Sequence, residues 1–190
     1  MNFKRMALSI LLLMVGVGQS VTASDNYNYV TPVDDPAYSN IGSELEIRKL
    51  KSQYFLCLDS KQWDCFRSVF ASGFRLRIFE PGENEPRFEI TGIDNMVTAT
   101  RESVDESTTI HHGHEPLIEI LSENEARGTW PAQGIMRRKV NDRFVTRHAF
   151  NLYHETYKKE NGDWKISSTD LIRKFFVWDM DSEVDLKSRF

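Results

Sequence analysis

The chain has 190 residues, with 24 Lys+Arg against 28 Asp+Glu and a net charge of −4. Hydrophobic residues make up 40% and charged residues 27%, which excludes a wholly disordered, collagen-like or multi-span membrane protein. An acidic chain with no long basic run argues against nucleic acid as a partner, and two cysteines are too few for a disulfide-stapled miniprotein or a thiolate zinc site.

Residues 1–23 read as a secretory signal. Lys4 and Arg5 give the positive start, Met6 to Val17 the apolar core, and Val21-Thr22-Ala23 the small residues of a cleavage site after Ala23. The apolar run is short of the ~20 residues a bilayer span needs, so no stable membrane insertion is expected after cleavage. The expected location is outside the cytoplasm, either secreted or in a bacterial periplasm. Residues 24–42 read as a polar leader, with Pro32 and Pro36 and no sustained period.

A helix is expected from Ser43, with Glu46 three residues on completing a capping box. Leu45, Ile47, Leu50, Tyr54, Cys57 and Leu58 follow at near-helical spacing. Asp59-Ser60-Lys61 interrupts the pattern, and Trp63, Phe66, Val69 and Phe70 form a second short helical face. Cys57 and Cys65 sit on either side of that break. They can be a disulfide in an oxidising compartment or two small buried core residues. Phe74 to Ile78 alternates as a strand, Pro81 to Pro86 is a turn, and Gly92 to Thr100 fits a short helix. Arg101 to Thr109 is expected as a loop. Strands are expected at His114–Leu121, Ala126–Pro131, Phe144–Lys158 and Trp164–Arg173, with Asn161-Gly162-Asp163 as a hairpin turn between the last two. Residues 176–190 are expected as a tail. Helices followed by strands point to an α+β fold, with helices packed on one face of a curved antiparallel sheet.

Three of the five histidines cluster in Thr109-Ile110-His111-His112-Gly113-His114. Alternate strand residues face opposite ways, so these imidazoles do not converge, and no further ligand is supplied; no metal is expected. One His beside one Asp instead makes an acid–base pair that needs no cofactor. A histidine held in the sheet for structure alone is the competing reading. Asp59 by itself reads as a helix-ending turn residue that bonds local amides. Arg137, Arg138, Lys139, Arg143 and Arg147 form the one basic concentration and read as a solvated loop, with an anion-bearing ligand as the lesser alternative. Tyr153, Tyr157 and Trp164 read as sheet packing.

Leu58 to Asp64, Thr109 to Gly113, and Tyr157 to Lys159 with Asn161 to Ile166, taken in order, resemble the SnoaL-like family of the nuclear transport factor 2-like superfamily, in the branch that includes scytalone dehydratase. The resemblance covers residues 43–175. It implies a cone-shaped curved antiparallel sheet wrapped round N-terminal helices, a deep apolar pocket and a homodimer. In the lyase members an Asp at the helix joint pairs with a His at the start of a long strand, and Asp59 and His111 fall on those positions. The resemblance thus implies His111 as general base and Asp59 as its orienting partner. The implied activity is a cofactor-independent lyase or isomerase, dehydratase-like, acting on a small, mostly apolar cyclic substrate. A polyketide-cyclase-like aldol enzyme and a non-catalytic small-ligand-binding module are the alternatives. The dehydratase's pocket tyrosines correspond to Leu58 and Ile78, and its second pocket histidine to Met136, so its specific polar contacts are missing. Tyr54, Trp130, Asn151 and Tyr153 are the candidate substrate-binding residues by strand alternation and approximate alignment.

Overall fold

A computed structural model describes residues 36–181. The signal sequence expected at residues 1–23 lies outside the described residues. Three helices precede or interrupt a seven-stranded sheet. They are α1 (Pro36–Asp59), α2 (Trp63–Ser68) and α3 (Ile93–Val104). The strands are β1 (Phe70–Phe79), β2 (Phe88–Thr91), β3 (Thr108–Gly113), β4 (Leu117–Ile120), β5 (Glu125–Val140), β6 (Arg143–Glu160) and β7 (Asp163–Asp181). The spatial order is β2-β1-β7-β6-β5-β3, with β4 also paired to β5. The sheet is antiparallel at every pairing except β1 with β7, which run parallel.

α1 begins at Pro36 rather than Ser43, so Ser43 lies inside the helix and is not its cap. Proline suits the first helical position because its φ is already fixed and its missing N–H has no partner to lose there. The buried stripe is Ile47, Leu50, Lys51, Tyr54, Phe55 and Leu58, the spacing of one helical face. Leu45, expected on that face, is exposed. A lysine in the middle of an apolar stripe is the sequence's least expected core residue.

α1 ends in a Schellman motif. The Gln62 N–H donates to the Cys57 carbonyl at 2.9 Å and the Lys61 N–H to the Leu58 carbonyl at 3.2 Å. Lys61 occupies the left-handed position with φ +57, where glycine is the usual choice, at a cost of about 1 kcal/mol. A disulfide between Cys57 and Cys65 spans the joint. Val69 caps α2, and Phe70 opens β1 rather than continuing the helix. α3 extends to Val104, beyond the expected Thr100, and turns most of the expected loop at 101–109 into helix and strand.

β5 and β6 are long, and their hairpin turn is only Asn141-Asp142, both with positive φ. Arg137, Arg138 and Lys139 are therefore strand residues and Arg147 lies well inside β6, which corrects the expected basic loop. The run of basic side chains conceals a two-residue turn whose Asn and Asp tolerate left-handed backbone. Asn161-Gly162 makes the second such turn, as expected from the sequence. β7 continues to Asp181, so residues 176–181 belong to the sheet and not to a tail.

The helices cover one face of the bent sheet. Side chains alternate along β6 so that Ala149, Asn151, Tyr153, Glu155 and Tyr157 are buried on the inner face. They meet Trp130 and Ala132 of β5 and the α1 stripe in one core that also takes in Phe66, Phe70, Phe74 and Ile166. Cross-strand register sets two rows that matter below. One runs His111–Gly134–Ala149–Phe176, and the next runs Thr109–Met136–Arg147–Trp178.

Candidate active site

Asp59 is the last residue of α1, where the Schellman turn stops the helix and directs the carboxylate toward the first turns of β3. It bonds no local amide. Oδ2 accepts the backbone N–H of His111 at 2.7 Å, and Oδ1 lies 2.7 Å from His111 Nδ1. Both oxygens are thus committed to one residue 52 positions away. This corrects the turn-residue reading of Asp59, since helix-ending aspartates bond neighbours rather than a distant strand. The side chains are 19% and 16% exposed for Asp59 and His111, so the pair is shielded but reachable.

Burial alone pushes the Asp59 carboxyl up. The side-chain hydrogen bond, charge and backbone N–H of His111 together outweigh it, with help from the Thr109 hydroxyl, and hold the acid below its ordinary value. Lys61 donates from Nζ to the Thr109 hydroxyl at 2.8 Å, which sets a cation behind the carboxylate. An ionised carboxylate only accepts, so the neutral imidazole carries its proton on Nδ1 and leaves Nε2 as a lone-pair base. Among the described residues Nε2 has no protein hydrogen-bond partner.

The ring is fixed on two sides. Phe55 stacks on it, with ring centroids 5.7 Å apart and planes 2° from parallel. Opposite in the register is Gly134, where an added Cβ would sit 3.0 Å from both Cδ2 and Nε2 of the imidazole. Gly113 does the same for Phe55, because a Cβ there would come within 3.0 Å of that ring. Two glycines at ordinary backbone angles therefore make room for the stacked pair. Neither Phe55 nor these glycines carries a sequence signal of function. Their role is steric and shows only in three dimensions.

His111 faces a cavity of about 90 Å³, also lined by Thr109, Gly134, Met136, Arg147, Asn151, Tyr153 and Arg173. Asn151 and Tyr153 therefore reach the space beside the dyad. Tyr54 and Trp130 do not line it: both are core residues, Tyr54 packed against Phe55, Phe66, Phe70 and Tyr153, and Trp130 donating from Nε1 to the Tyr157 hydroxyl at 2.7 Å. Tyr153 is kept as the neutral phenol by burial, first, and by the nearby Glu155 carboxylate. The cavity is smaller than the usual ~300–1,000 Å³ ligand pocket and narrower than the deep pocket expected. A roomier hollow of about 500 Å³, bordered by Leu117, Thr129, His154 and Asp170, includes neither Asp59 nor His111.

The other histidines of the cluster take no part. His112 alternates away from His111, and His114 lies beyond β3 with Nε2 3.0 Å from the Gln133 amide. Among the described residues no group of three His, Cys, Asp or Glu side chains is arranged to hold a metal ion.

Below the cavity is a second polar group that composition and spacing did not reveal. Lys51 Nζ and Glu155 Oε1 are 2.6 Å apart with both side chains essentially unexposed. Tyr157 donates to the other oxygen at 2.6 Å and Thr169 to the first at 3.3 Å. The ammonium also faces the rings of Tyr54, Phe55 and Tyr153 at 4.4, 4.8 and 3.9 Å. Phe55 thus stands between the buried pair and the dyad.

Comparison with known proteins bears on the fold. One solved structure, a protein from Novosphingobium aromaticivorans provisionally assigned as a scytalone dehydratase, is 21% identical and superimposes with a TM-score of 0.65 over 78% of this chain and 93% of its own. A type 2 LinA hexachlorocyclohexane dehydrochlorinase gives 16%, 0.63, 78% and 95% in the same order. The type 3 LinA enzyme from Novosphingobium barchaimii gives 16%, 0.61, 75% and 94%. At these identities the likeness is one of fold. Residues 40–170 match the SnoaL-like domain itself, so this chain belongs to the SnoaL-like family of the nuclear transport factor 2-like superfamily.

Proposed function

We propose that the protein is a cofactor-independent lyase, dehydratase-like, that acts on a small, mostly apolar cyclic substrate. The observation that carries this reading is the two-point clamp of Asp59 on His111, which leaves Nε2 facing a cavity. In the reaction Nε2 takes a proton from a carbon next to a leaving group. The C–H electron pair becomes the new π bond, and the leaving group departs with its own bonding pair. Asp59 stabilises the imidazolium, which then returns its proton to the departing group or to water. Fold likeness to a provisional scytalone dehydratase and to dehydrochlorinases supports elimination chemistry without establishing it.

One observation favours a second reading, a non-catalytic small-ligand-binding module. The cavity beside the dyad is only about 90 Å³, and Leu58 and Ile78, which the resemblance matches to pocket tyrosines, neither line it nor offer a polar atom to a leaving group. The same proposal includes export directed by residues 1–23 and association as a homodimer.

The test is a screen of cyclic elimination substrates with the mature protein, followed by Asp59→Asn and His111→Ala on any substrate that turns over. Loss of about 10²–10⁴-fold in kcat with folding intact is expected for a general base. Full activity in both variants would sink the dyad. Saturable binding of substrates with no turnover would favour the binding module.

A further inference from the structure

Two residues at the cavity carry a buried polar atom without a hydrogen-bond partner, Asn151 through Oδ1 and Arg147 through Nε, and Arg147 is the charged one. Its Nε is buried with no hydrogen-bond partner, and among the described residues no carboxylate pairs with it. Its guanidinium stands over the rings of Phe176 and Trp178, 5.4 and 5.8 Å away. Burying an N–H donor of a cation without an acceptor costs more than leaving a neutral donor unpaired. A buried donor in that state calls for an explanation, and an acceptor on a ligand is one that the cavity allows.

The surroundings say what that acceptor is. Arg173 lines the same cavity and also stands over the Phe176 ring, at 5.6 Å, but Glu80 is bound to it. Arg147 is burdened by burial and by the like charges of Arg173 and Arg138, with only Glu80 in compensation. The cavity wall on this side therefore carries an uncancelled positive charge. In the register, Arg147 lies two strands from His111 and one row along, with only Gly134 and Ala149 between them in the His111 row. At about 4.8 Å per strand, a small molecule can touch Nε2 with one end and the guanidinium with the other.

We infer that Arg147 is the anchor for a carboxylate on the substrate, so that the ligand of this cavity is a small organic acid held by its anionic end with its reacting carbon turned toward His111. This rests on the reading of the cavity as the substrate site, and it names the substrate's class. A guanidinium offers two parallel N–H donors to a carboxylate, which fixes orientation as well as charge. The cavity's modest size suits a compact ring or chain with one acidic group.

Benzoate and benzamide are the probes, equal in shape and different in charge, with binding measured by titration calorimetry at neutral pH. Benzoate is expected to bind at least about tenfold more tightly than benzamide, the factor a charge-assisted hydrogen bond contributes. Arg147→Gln should remove that preference, and Arg147→Lys should keep part of it. Asp59→Asn should keep the preference intact, because the anchor does not depend on the base. A benzoate preference that Arg147→Gln abolishes, in a wild-type protein that turns over no elimination substrate, would therefore leave the anchor standing and the lyase reading fallen. Equal binding of the two probes, absence of benzoate binding, or an unchanged preference in Arg147→Gln would overturn the inference. Should Arg147→Gln not fold, Arg147→Lys carries the test: a reduced preference supports the anchor, and an unchanged one overturns it.

Discussion

The buried Lys51–Glu155 pair makes the sharpest stability prediction. Both side chains are essentially out of solvent and 2.6 Å apart, so each neutralises a charge that water cannot reach. Lys51→Met leaves the Glu155 carboxylate facing only the Tyr157 and Thr169 hydroxyls. Breaking one side of such a pair costs about 3–5 kcal/mol. Glu155→Met is at least as costly, because it strands both the ammonium and the Tyr157 hydroxyl. The double variant Lys51→Met/Glu155→Met removes both charges and leaves only the two hydroxyls short of an acceptor, at about 1–3 kcal/mol. The double should therefore be more stable than either single, a coupling of several kcal/mol in urea unfolding. Additive single costs, or singles below about 1 kcal/mol, would refute the reasoning.

Gly134→Ala tests the packing of the base. Its Cβ would sit 3.0 Å from two imidazole atoms that Phe55 and Asp59 prevent from retreating. Gly134 has an ordinary φ, so alanine brings no backbone strain and would otherwise stabilise the chain by about 0.4–1 kcal/mol. The expected result is a net loss of about 1–3 kcal/mol in thermal unfolding and a displaced His111 ring resonance; a stabilised variant with an unmoved resonance would contradict it. Asp59 makes the stability depend on pH. Its folded pKa lies below the ordinary carboxyl value, so its contribution is complete above the unfolded pKa and is lost as pH falls through the folded one. The stability gap between wild type and Asp59→Asn should therefore narrow in acid, below about pH 4. A gap that widens there would mean that His111 does not hold the carboxylate ionised.

Much of the fold was readable from local chemistry. The Asn161-Gly162 turn, the alternation of Phe144–Lys158 and the break after Leu58 are all short-range signals, and each appears where expected. The errors arose where tertiary contacts override local pattern. Nothing local to Lys51 marks it as a core residue, because the partner that neutralises it is 104 residues away. Arg147 was counted with a basic loop because the Asn141-Asp142 turn carries no glycine. Strand β3 begins before the expected His114 and ends at Gly113, whose missing side chain admits Phe55. The dyad itself could be named only through the family's pattern, since nothing local to Asp59 shows that its carboxylate reaches a strand 52 residues on.

The tautomer of His111 is the most direct test of the site. A long-range proton–nitrogen spectrum of the imidazole rings, recorded where His111 is neutral and assigned by His111→Ala, reads it directly. The predicted result is a proton on Nδ1 with Nε2 bare, and loss of that fixed tautomer in Asp59→Asn. A neutral His111 protonated on Nε2, or a ring unaffected by Asp59→Asn, would mean that the base is not poised and that the dyad is only structural.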